Sequence, residues 1–60
     1  MENRILTVEQ VAELLKVPTS WVYKHTKRRA PDRLPHIKLG KYVRFEESAI
    51  MAFVERRRRV

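Results

Sequence analysis

Apolar residues at Val8, Val11, Ala12 and Leu15 follow the i, i+3, i+4, i+7 spacing of one buried helical face. Thr7 to Gln10 fits a capping box ahead of that face, with Leu6 and Val11 placed as a hydrophobic staple. This first helix is expected to run to about Lys16. Val17-Pro18-Thr19 then interrupts the pattern, because Pro18 pushes the residue before it out of the helical region. A second helix is expected from Pro18 or Thr19 to about Arg29. Val22 is its clear core residue, with positions 25, 26 and 29 near it on the helical wheel. Ser20, Lys24, Lys27 and Arg28 point the other way. Ala30-Pro31-Asp32-Arg33 reads as a loop, and Leu34-Pro35 leads into a hairpin. Its apolar residues Ile37, Leu39, Val43 and Phe45 share one face only if an odd number of residues forms the turn. Gly40-Lys41-Tyr42 is the expected three-residue turn, which leaves His36, Lys38 and Arg44 facing outward. Glu46 and Glu47 open a third helix with Ala49, Ile50, Phe53 and Val54 as its buried stripe. Arg56 to Arg59 close it at the negative end of its dipole.

Composition narrows the picture. Sixty residues with 43% hydrophobic content suit a single domain, residues 1–60, near the lower size limit for independent folding. The sequence reads as a whole small protein without a signal peptide or a membrane-spanning run, expected in the cytoplasm with the nucleoid. It has no cysteine, hence no disulfide and no thiolate metal site. The net charge is +7, and its placement matters more than its size. Residues 16–44 hold nine Lys/Arg against one acid, Asp32, whereas residues 1–15 hold one base against three acids. A basic middle segment, read as a helix and a hairpin, points to a polyanion partner.

Helix, turn, helix, hairpin, helix is an α+β winged helix-turn-helix: three helices with a two-stranded β-hairpin wing between the second and third. The major groove admits one helix, so the outward row of Ser20, Lys24, Lys27 and Arg28 is expected to reach bases and phosphates of double-stranded DNA, with Thr19, Trp21 and Tyr23 of the same helix as further candidate contacts. The wing adds Lys38, Lys41, Tyr42 and Arg44 beside them. Trp21 either covers the core edge or presses on the sugar-phosphate backbone, and Tyr23 is expected half-buried. His25 and His36 are too few for a metal site. Ser20 and Ser48 have no base or elbow motif around them, so no catalytic role and no cofactor are expected.

The segments Leu6 to Leu15, Trp21 to Lys24 and Leu34 to Phe45 resemble the small excisionase-type, MerR-like winged-helix proteins. The resemblance covers residues 5–54 and departs from many members at Pro18, where they carry a Ser cap. It implies a DNA-binding module of phages and mobile elements: a recombination directionality factor that bends attachment-site DNA and steers an integrase, or a small transcription regulator. The implied partners are duplex DNA, a cognate integrase and further copies of the chain bound cooperatively. The long coiled coil and effector domain of larger MerR regulators are not in this sequence. A protein-interaction module and RNA binding remain as competing readings. The basic second helix and wing weigh against the first, and the lack of an RNA-module motif against the second.

Overall fold

The computed structural model describes residues 3–27, 29–30 and 32–58. In chain order these form β1 (Ile5–Leu6), α1 (Val8–Leu15), α2 (Thr19–Lys24), β2 (Ile37–Leu39), β3 (Tyr42–Glu46) and α3 (Glu47–Arg57). The three strands make one antiparallel sheet in the order β1-β3-β2. The architecture is the expected winged helix-turn-helix, with one addition: two residues ahead of α1 add a third strand to the wing.

The capping box forms as the sequence predicts. The Gln10 amide donates to Thr7 Oγ1 at 3.1 Å, and the Thr7 amide donates to Gln10 Oε1 at 2.9 Å. α1 closes through Lys16, which sits in the left-handed region at φ 60°. The Lys16 amide reaches the Ala12 and Glu13 carbonyls, and the Val17 amide returns to Ala12 at 2.9 Å. This Schellman-type closure sets the sharp turn into α2.

Two expectations require correction. α2 ends at Lys24, not near Arg29. The Thr26 hydroxyl and amide take the Tyr23 carbonyl, and the buried Leu34 draws the chain back by donating its amide to the His25 carbonyl at 2.8 Å. With only Val22 fully buried, α2 gains little from a longer helix. The hairpin turn has two residues, Gly40 and Lys41, because Leu39 pairs with Tyr42. Gly40 at φ 64° supplies the positive angle that the first central position of a II′ turn needs. The register therefore differs from the expected one. Lys38 lies opposite Val43 and shares its face, while Ile37 and Leu39 lie opposite Arg44 and Tyr42. Leu39 is thus 55% exposed, and Lys38 and Arg44 project from opposite faces of the hairpin.

The core draws on β1, the three helices, β3 and the loop before the wing, while β2 adds no buried residue. Leu6, Val8, Val11, Ala12, Val22, Leu34, Phe45, Ile50 and Phe53 are buried, and Leu15, Val17, Trp21, Val43 and Val54 pack on its margin. Leu34, 1% exposed, is a core residue that a reading of it as lead-in to the hairpin misses. α3 is capped from the other end of the chain. The Ser48 amide donates to Asn3 Oδ1 at 3.1 Å, and the Glu47 amide donates to the Arg4 carbonyl at 2.8 Å. Asn3 Nδ2 also donates to Glu46 Oε2 at 3.1 Å, so one asparagine ties β1 to the β3–α3 junction. Arg57 meets Asp32 at 2.6 Å and lies 4.3 Å from the Phe53 ring centroid, linking the end of α3 to the loop before the wing.

Candidate nucleic-acid interface

With Val22 turned to the core, helical geometry puts Ser20 and Lys24 on the opposite side of α2. Thr19 and Tyr23 fall on one flank, Trp21 and His25 on the other. Thr19, Ser20, Tyr23 and Lys24 are exposed, and Tyr23, at 50%, is more open than the sequence suggests. Trp21 is half-buried and packs on the core margin. Its indole stacks on His25, ring centroids 3.8 Å apart and planes 22° from parallel. His25 Nδ1 also lies 2.8 Å from the Trp21 carbonyl, so the stack is held from both ends. The indole joins Lys24, Lys27 and Arg29 along a surface cleft. Trp21 therefore has one side on the protein and another toward a basic surface.

The short α2 changes where Lys27 points. Beyond the helix end, Lys27 joins Arg33, His36 and Lys38 in a cleft between α2 and the wing, with Tyr23 and Thr26 along its helix side. Arg33 is a cation that sequence reasoning left out of the contact set. Its signal was its place in the loop between two basic elements. Arg29, exposed in the turn after α2, was likewise left out. Arg28 lies outside the described residues.

A second cleft brings Tyr23 together with Lys41, Tyr42 and Arg44, closed by Val8 and Glu9 of α1. At the wing, the Arg44 guanidinium carbon stands 5.3 Å and Lys41 Nζ 5.7 Å from the Tyr42 ring centroid. Each such contact at an exposed site is worth about 0.5–1 kcal/mol. Arg44 Nη1 also donates to the Val43 carbonyl at 2.8 Å, which fixes its stem along the strand.

Tyr23 thus lies between two clefts that lead from α2 to the wing. The lining of these basic clefts contains a single carboxylate, Glu9. Glu13 and Glu47 instead line a separate groove with Arg4, Gln10 and Leu14. Such a surface suits phosphates spaced along a backbone, with the exposed row of α2 free to meet base edges. Among the described residues, no cluster of His, Cys, Asp or Glu has a metal-binding arrangement, and no helix is long and apolar enough to cross a membrane.

A family model described as a helix-turn-helix domain matches residues 5–58, nearly the whole chain. No curated protein and no solved structure matches it.

Proposed function

The chain belongs to the helix-turn-helix domain family, whose members bind double-stranded DNA sequence-specifically, and on that premise we propose an excisionase-like recombination directionality factor. In this reading the protein binds attachment-site DNA, bends it and steers an integrase, and performs no bond chemistry itself. The observation that carries the DNA contact is the pair of clefts joining α2 to the wing, lined by Lys27, Arg33, Lys38, Lys41 and Arg44. The proposed base-reading row is Thr19, Ser20, Tyr23 and Lys24, with Trp21 against the sugar-phosphate backbone and Tyr42 at the wing.

The architectural role is supported by the size of the reading element and by the resemblance of residues 5–54. A recognition helix of six residues reads few base pairs. Specificity must then come from neighbouring copies and from the shape of the DNA. A bent site favours one recombination assembly over another. The protein would act inside the cell on chromosomal DNA, with an integrase and further copies of itself as partners.

Gel-shift titration tests this on three duplexes at one salt concentration: the element's attachment site, its own promoter and a random sequence. Stepwise cooperative shifts on the attachment site, strengthened by integrase, are expected. A preference for the promoter would instead make the chain a small transcription regulator using the same surface. Equal, weak binding to all three would remove the sequence-specific role.

A further inference from the structure

The two-residue turn leaves apolar side chains where a solvated wing would carry polar ones. Cross-strand partners share a face, so Leu39 and Tyr42 stand together on the outer face of the sheet beside the turn. Both are more than half exposed, at 55% and 54%. Neither contributes to the core, and Gly40 beside them has nothing within 4 Å of where a Cβ would stand. The wing tip is therefore narrow, open and apolar on one side. Lys41 and Arg44 lie over the Tyr42 ring on that same tip.

We propose that Leu39 and Tyr42 form an apolar wedge that enters a minor-groove base step of duplex DNA and opens it, while Lys41 and Arg44 hold the flanking phosphates. This rests on the duplex-binding reading and supplies a physical cause for a bend. Inserting an apolar side chain between base pairs unstacks them and kinks the duplex toward the major groove. The charge at the tip selects this occupant. Two cations around an apolar pair complement a polyanion, whereas a second copy of a chain of net charge +7 would bring like charge to the same place. The wedge also implies specificity without hydrogen bonds to bases, because flexible pyrimidine–purine steps open at lower cost than stiff ones.

The experiment compares the full chain on two labelled duplexes of identical sequence, one fully paired and one carrying a short unpaired bulge. Fluorescence anisotropy gives both affinities at one salt concentration. A bulge has already lost the stacking that the wedge must break, so the parent should favour it by about tenfold or more. Leu39→Ala, at an exposed position, should keep its thermal melt and its binding to the paired duplex within about threefold, and lose most of that preference. Leu39→Met should retain the preference, since its side chain is apolar and of similar volume. A 2-aminopurine placed at a TpA step in the paired duplex should brighten with the parent and stay dim with Leu39→Ala. Equal affinity of the parent for both duplexes would overturn the wedge while leaving DNA binding intact. So would a preference unchanged in Leu39→Ala. If Leu39→Ala only prevented a second copy from binding, the apolar pair would be a protein contact and the wedge would be wrong. Loss of binding to every duplex by the parent would remove the wedge together with the reading beneath it.

Discussion

Lys16 shows how one residue can hold an element in place at a cost to stability. It is the one described non-glycine residue with positive φ, and its amide closes α1 onto Ala12 and Glu13. A side chain in the left-handed region costs roughly 1–2 kcal/mol relative to glycine, some of it offset by glycine's greater freedom when unfolded. Lys16→Gly should therefore stabilise the fold by about 0.5–1 kcal/mol and raise the melting temperature by about 4–8 °C, read by circular dichroism. A lower melting temperature would mean that the Lys16 stem contributes packing that its exposure does not suggest. Phe53 is the opposite case. It is 6% exposed, sits in the core cluster and supports the Arg57 guanidinium on its ring. Phe53→Ala should cost about 3–5 kcal/mol, which a domain this small does not have in reserve, so the variant should be unfolded at 37 °C. A folded, DNA-binding Phe53→Ala protein would show that α3 does not hold the core together.

At the scale of elements, α3 depends on a residue remote in sequence. Glu46 caps it without a side-chain hydrogen bond, and Asn3 takes the Ser48 amide instead. Asn3→Ala should destabilise by about 1 kcal/mol and speed hydrogen exchange at the Ser48 amide. An unchanged melt with unchanged exchange would show that solvent caps α3 equally well. The same contact marks where sequence reading stops. α1 was legible down to its capping residues, because the capping box and the 3.6-residue period are local signals. In α3 the same signal picks out Ile50 and Phe53, which are buried, and Val54 on the core margin, whereas Ala49 is only partly buried. Strand β1 was not: two residues carry no period, and its pairing with Glu46 and Phe45 is long-range. The end of α2 was hidden too, since the contact that helps to set it, from the Leu34 amide to the His25 carbonyl, spans nine positions. The hairpin register is not legible from alternation, which implies one buried face for all four apolar residues. Leu39 breaks that rule. The candidate contact residues were mostly legible as charge, but their grouping into two clefts depends on the shortened α2 and the two-residue turn.

For the whole molecule, extent and charge decide how it can bind. The longest dimension is 38 Å, close to one turn of B-form DNA at about 34–36 Å. Along that dimension one copy spans at most about one helical turn, so a longer site would need several copies. Within that span the proposed face offers two kinds of cation. Lys24 stands on the exposed row of α2, the proposed base-reading row. Lys41 stands at the wing tip, where on the proposed face it would meet phosphate. Each phosphate contact releases condensed counterions, so the slope of log affinity against log salt is about −0.9 per contact. Lys41→Ala should weaken binding to all duplexes by a similar factor and make the slope shallower by about one unit. Lys24→Ala should change relative affinity among sequences by about 1–3 kcal/mol at one position of the site. Selection from a randomised duplex pool, followed by salt titration of each variant, separates the two. If Lys41→Ala altered sequence preference and Lys24→Ala altered only the salt slope, the roles of helix and wing would be exchanged. If neither variant differed from the parent, the DNA face would lie elsewhere on the molecule. The expected pattern would instead assign base reading to α2 and backbone anchoring to the wing, the division of labour that the short helix requires.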